Sequence, residues 1–232
     1  CEGALALELY CARLVDEQHT GAPEAADDAR LLLEVLTPIA KSWPSEWCLE
    51  ANSLAIQVHG GYGYTRDFPV EQYWRDNRLN MIHEGTHGIQ ALDLLGRKVV
   101  MDGGAGLKLL ATKMNETIEH AGQVRGLAEH AQELAEALQK AGAATKSAWA
   151  TGVSEEALAN ATPYLQALGH VVLAWMWLDV SLVAVRSQTP ANQGRLAAMR
   201  YFFAYELPKI DAWLGVVSRR EPVCREMRDE WF

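Results

Sequence analysis

The chain has 232 residues, 49% of them hydrophobic and 22% charged, a globular mixture long enough for one large core or two smaller ones. Eighteen glycines and eight prolines are too few for a collagenous or low-complexity chain. A formal net charge of −9 excludes the broad basic footprint of a duplex-binding protein, so no nucleic-acid partner is expected. The charge is uneven: residues 1–100 hold 8 basic and 15 acidic groups, residues 101–232 hold 13 and 15, which points to two regions. Cys1, Cys11, Cys48 and Cys224 have neither CxxC spacing nor a disulfide-rich setting and imply reduced thiols in a cytoplasmic protein. The opening Cys1-Glu2-Gly3 has no initiator Met and no targeting signal and runs at once into a helical pattern, as expected of a piece of a longer protein.

Apolar residues recur at three- and four-residue spacing throughout and nowhere alternate at period two, so the fold is predicted to be all-α. Leu5, Leu7, Leu9, Tyr10, Leu14 and Val15 mark a first helix that ends near Thr20-Gly21-Ala22-Pro23. A second starts at Glu24–Asp28, carries Leu31, Leu32, Val35 and Leu36, is kinked or interrupted by Pro38 and Pro44, and resumes through Trp47, Leu54 and Ile56. Gly60-Gly61-Tyr62-Gly63 predicts a non-helical loop that another group can approach closely. Asp67 is the expected N-cap of a helix through Tyr73, Trp74 and Leu79, which Gly85 interrupts. A helix with Ile89, Leu92, Leu95 and Val99 runs on to Gly103-Gly104. Three long patterns follow, at 105–140, 154–188 and 190–218, with Ser154 and Thr189 as helix starts and 141–152 as an exposed connector. The uncharged stretch Ala157–Leu178 has the length of a membrane span, but Asn160, Gln166 and His170 make it a buried core helix.

Chemistry centres on His83-Glu84-Gly85-Thr86-His87, which matches HExxH, the zinc pattern of metalloproteases, with Glu116 downstream as a conceivable third ligand. That geometry needs both histidines on one face of an unbroken helix, where Gly85 costs about 1 kcal/mol relative to Ala. It is the weakest reading.

A longer pattern competes. The runs Gln57-Val58-His59-Gly60-Gly61-Tyr62-Gly63-Tyr64, then Phe68 to Asp76, then Ile82-His83-Glu84-Gly85-Thr86, together resemble the carboxyl-terminal helical domain of the acyl-CoA dehydrogenases. The resemblance implies a fragment of an FAD-dependent enzyme of fatty-acid metabolism. In that family Glu84 is the base that takes the α-proton of an acyl-CoA thioester while the β-hydrogen leaves as hydride to the flavin. A carboxylate desolvated at such a site becomes a stronger base. Gly85 lets the backbone approach the substrate. Gln57, Val58, His59, Gly60 and Gly61 match the loop that reaches a neighbouring subunit's FAD, and Thr86, His87 and Gly88 match the segment that touches FAD after the base. The implied partners are an acyl-CoA substrate, an electron-transfer flavoprotein and further copies of the chain in a homo-oligomer.

Two positions depart from the common pattern: His83 stands where Tyr is usual and Gly88 where Glu or Gln is usual. The form Thr86 to Leu94 resembles a larger subgroup with an appended acetyl-CoA dehydrogenase-like C-terminal domain. The expected division is therefore 1–102, the family's helical domain without its first helix, and 103–232, a second antiparallel helical bundle. Plainer roles are available for single residues: His59 as a helix-terminal cation, Arg75-Asp76 as a structural pair, His120, His130 and His170 as individually satisfied side chains, and Trp175 and Trp177 as packing. The contrasting reading of the whole is a non-catalytic helical fragment or oligomerisation module that self-associates through surfaces other domains would cover.

Overall fold

The computed structural model describes residues 1–83 and 85–232, and these form helices and turns without a strand. Helices α1 (Glu2–Thr20) and α2 (Pro23–His59) are joined by Gly21-Ala22 and pack as an antiparallel hairpin. The expected interruption of α2 does not occur: one helix runs through Pro38 and Pro44. Each proline removes a backbone donor, yet Leu32, Val35, Leu36, Ile39 and Trp43 bury one face of the helix, and that burial outweighs the local loss. The hydroxyls of Thr37 and Ser45, each next to a proline, bind carbonyls one turn back, at Leu33 and Lys41.

The glycine run Gly60–Tyr64 is a short 3-10 turn, folded back so closely that a Cβ on Gly63 would come within 2.6 Å of the Ile56 carbonyl oxygen. Helices α3 (Val70–Asn77), α4 (Asn80–His83) and α5 (His87–Asp93) follow. Asp67 does not cap α3, which starts from Pro69 without a side-chain cap. A π turn at Leu94–Lys98 continues α5, and Asp102, Gly103 and Gly104, all at positive φ, then turn the chain.

The pattern at 105–140 is two helices, α6 (Ala105–Gly122) and α7 (Ala128–Ala148), with Gly126 at φ +90 in the turn that separates them. Helix α7 also absorbs most of the expected connector, burying Ala141, Ala144 and Ala148; the actual link is Trp149–Val153. Next come α8 (Ser154–Leu158) and α9 (Ala161–Ala184), then α10 (Pro190–Tyr201), capped by the Thr189 hydroxyl. Pro208 and a π turn at Phe202–Glu206 separate α10 from α11 (Ile210–Arg219), so 190–218 is not one helix. A short α12 (Val223–Glu226) follows.

Helix α9 is long and apolar enough to cross a membrane by composition, but 78% of its apolar window is buried inside the protein. It packs against α1, α2, α5, α6, α7, α10 and α11. Buried side chains from before and after the 102–104 turn belong to one continuous core.

Candidate active site

Glu84, the carboxylate that the sequence singles out, lies outside the described residues. On either side of it α4 ends at His83 and α5 begins at His87, with Gly85 at φ +96. A residue in the left-handed region cannot continue an α-helix. His83 and His87 are therefore not two positions on one helix face, which is the arrangement a zincin requires. Only glycine holds this backbone without strain, and a Cβ at Gly85 would also come within 2.9 Å of the Gln90 amide nitrogen.

Thr86 is the N-cap residue of α5 in extended conformation, and its carbonyl accepts from the Gln90 backbone N–H at 3.0 Å. Thr86 and Gly88 are exposed, and an added Cβ at Gly88 meets nothing within 4 Å. His87 points the other way, towards α2. Its Nδ1 lies 2.5 Å from Ser42 Oγ, and its Nε2, buried and without a hydrogen-bond partner among the described residues, is 3.8 Å from Glu46 Oε2. Neither Ser42 nor Glu46 had a signal of function in the sequence. Their four-residue spacing places them on one face of α2, but only the tertiary fold brings that face to His87.

Gln57, Val58 and His59 end α2 with exposed side chains, Val58 at 87%. The His59 ring rests on Phe68 at 5.0 Å, at the helix terminus where the plainer role of a dipole-facing cation also applies. Gly60 has φ +61, and a Cβ at Gly60 or Gly61 meets nothing within 4 Å, so the backbone here is open to an approaching group. The α3–α4 segment is tied to α2 by Asn77 donating to Asn52 at 3.0 Å, and within the segment Asn80 donates to Asn77 at 2.9 Å. A cavity of about 320 Å³ lies between them, lined by Lys41, Ser45, Cys48, Asn77, Asn80 and His83. Arg75 faces Glu71, one turn back, at 3.7 Å. The surrounding face is apolar and exposed at Leu54, Tyr62, Tyr64, Tyr73, Leu79, Ile82, Ile89 and Leu92.

Behind the site, His170 of α9 sits at 0% exposure among Trp43, Trp47, Phe202 and Trp213. Its Nδ1 lies 2.9 Å from both the Trp43 indole nitrogen and the Gln166 carbonyl oxygen, and its Nε2 is 3.8 Å from Glu206. Burial pushes its pKa down to about 4. Its expected role as a single satisfied histidine thus becomes membership of an aromatic box. The four cysteines are unpaired.

Two families match this chain: "Acyl-CoA dehydrogenase, C-terminal domain" over residues 3–99 and "Acetyl-CoA dehydrogenase C-terminal like" over residues 110–228. Among curated proteins, 3-methylmercaptopropionyl-CoA dehydrogenase of Ruegeria pomeroyi is 34% identical over 81% of this chain and 32% of its own length. The broad-specificity linear acyl-CoA dehydrogenase FadE5 of Mycobacterium tuberculosis is 26% identical over 100% of this chain and 41% of its own length. The chain thus spans about a third to two fifths of these relatives. In fold it is similar to Caenorhabditis elegans ACDH-11, solved in complex with C11-CoA, with a TM-score of 0.78 at 18% identity over 98% of this chain and 38% of that one. It is also similar to a Bacillus anthracis acyl-CoA dehydrogenase complexed with FAD, with a TM-score of 0.64 at 19% identity over 83% and 33%.

Proposed function

The chain belongs to the acyl-CoA dehydrogenase family, and from that premise we propose that it is the carboxyl-terminal helical part of an FAD-dependent enzyme that dehydrogenates an acyl-CoA thioester between Cα and Cβ. The observation that carries this reading is the match over residues 3–99, which contains Glu84 within His83-Glu84-Gly85-Thr86. In this reading Glu84 removes the α-proton. Gly85 brings backbone close to the thioester, which its positive φ and lack of Cβ support. The exposed apolar side chains of Ile82 and Ile89 lie on either side of the turn in sequence and suit an acyl chain.

The residues present fit a flavin in two places. Thr86, His87 and Gly88 offer an open backbone turn beside the base, and Gln57–Gly61 offer a glycine backbone with no side chain in the way of a neighbouring subunit's cofactor, the Gly60 N–H itself donating to the Gln57 carbonyl. FAD, when bound, supplies the acceptor for the β-hydride. An electron-transfer flavoprotein is the partner that the resemblance implies as the onward electron acceptor. Four unpaired thiols support a reducing, cytoplasmic compartment for a step of fatty-acid metabolism. The proposed division into 1–102 and 103–232 runs parallel to the two matched segments, 3–99 and 110–228, whose buried side chains share one core.

The test is Glu84→Gln in the intact protein. Loss of a general base is expected to slow flavin reduction by acyl-CoA about 100-fold or more; an unchanged rate would remove Glu84 from the role. A second reading has its own observation. The exposed apolar face from Leu54 to Leu92 favours self-association of the 232-residue chain as a non-catalytic oligomer. Sedimentation of the isolated chain as a monomer at all concentrations would set that reading aside.

A further inference from the structure

A half-buried polar chain connects the two matched segments. Trp47 Nε1 donates to Gln166 Oε1 at 3.0 Å. Because an indole can only donate, this bond fixes which way round the Gln166 amide sits and turns its Nε2 towards Glu46, to which it donates. Glu46 Oε2 lies 3.8 Å from His87 Nε2, a contact too long for a hydrogen bond, while Ser42 Oγ and His87 Nδ1 are hydrogen-bonded at 2.5 Å. The directions are determined from Trp47 through Gln166 to Glu46, and on the other side Ser42 holds His87, whose Nε2 faces Glu46. Gln166 belongs to α9 in the 110–228 segment; Ser42, Trp47, Glu46 and His87 belong to the 3–99 segment.

The arrangement of Ser42, His87 and Glu46 invites comparison with a hydrolytic triad, but Ser42 is 1% exposed and no substrate could reach it. What the cluster can do is hold a ring in place. His87 is the first residue of α5 and sits between Thr86 and Gly88, so a fixed His87 ring fixes the backbone turn on either side of it.

We infer that Gln166, Glu46 and Ser42 are positioning residues through which α9 of the second segment sets the flavin-contacting turn Thr86–Gly88 of the first. The inference rests on the dehydrogenase reading above. It gives the appended segment a part in the site that it does not itself line, with Gln166 as the α9 side chain that hydrogen-bonds to Glu46. Glu46 is the junction, since it receives Gln166 and faces His87.

The experiment is a thermodynamic cycle on the intact protein, with FAD added to flavin-stripped protein and binding followed by flavin fluorescence, alongside the melting temperature of each stripped variant. Gln166→Leu is expected to weaken FAD binding about fivefold, the effect of about one hydrogen bond. His87→Leu is expected to weaken it at least as much, and the double variant no further than His87→Leu alone. Glu46→Gln, which keeps an acceptor oxygen, is expected to bind within about twofold of wild type, whereas Glu46→Leu follows Gln166→Leu. Multiplying effects of Gln166→Leu and His87→Leu, or an effect on melting alone with FAD affinity unchanged, would overturn the inference. Should Gln166→Leu fail to fold, the Glu46→Gln and Glu46→Leu pair decides: equal FAD affinities overturn it. A wild-type protein that takes up no FAD overturns the dehydrogenase reading and this inference together, an outcome distinct from the others.

Discussion

Helix α9 and the segment from Leu54 to Leu92 are both rich in large apolar side chains, yet one is enclosed and the other is bare. On α9, nearly every residue from Ala161 to Leu178 is buried, and its polar groups have partners on other helices: Tyr164 with Thr145, Gln166 with Trp47, His170 with Trp43, Trp175 with Thr117. In the other segment Val58 is 87% exposed and Tyr64 83%, and the elements are short and held by a few side-chain bonds. The difference separates a stretch whose role is completed within this chain from one whose apolar face is free to meet something else. Stability should reside in the first and ligand affinity in the second.

The largest expected effect on stability comes from breaking the enclosed region. Leu168→Ala removes a fully buried side chain from α9 and is expected to cost about 3 kcal/mol, read as a lowered denaturant midpoint. A cost under about 1 kcal/mol would mean that α9 is not the centre of the core. His170 sharpens the same contrast through pH. Burial lowers its folded pKa to about 4 from an ordinary 6.5, while the unfolded chain keeps the ordinary value. Its contribution is therefore intact above pH 6.5 and is lost as the pH falls from 6.5 towards 4, at up to about 1.4 kcal/mol per unit. Glu206 at 3.8 Å and Lys209, the charged groups facing the ring, act in opposite directions on it. His170→Gln should flatten the stability curve in that window, measured by denaturation at pH 7, 6, 5 and 4; an unaltered slope would place the acid sensitivity elsewhere.

In the bare segment the order of effects reverses. Gly85→Ala forces a side chain into φ +96 and against Gln90, with an expected cost of about 1 to 2 kcal/mol. Its effect on flavin reduction in the intact protein should exceed its effect on melting temperature. Val58→Lys is the smallest change: an exposed position should tolerate it within about 0.5 kcal/mol while the tendency of the chain to self-associate falls, as light scattering would show. A large loss of stability there would mean that the face is packed rather than open.

Much of this was legible in the residues. The 3.6-residue periodicity, the Thr189-Pro190 start and the turn at Gly21-Ala22 fixed helix identity and several ends, because those signals are local. The prolines of α2 misled, since a helix with a buried face tolerates what an isolated one would not, and the 105–140 pattern hid the break at Gly126. The candidate site divided in the same way: Gln57–Gly61 and Gly85–Gly88 are contiguous motifs, whereas Ser42, Glu46 and Gln166 are ordinary helical residues with no pattern to mark them.

By itself, then, the sequence determined an all-helical chain, the glycine that breaks the helix beside Glu84, and the family. Only the tertiary structure decided that α9 threads the core of both segments and that Gln166, 120 residues from Glu46 along the chain, meets it. The reason is physical: backbone preferences and short motifs act over a few residues, while the pairing of buried polar groups is settled only when distant helices are packed side by side and water is excluded.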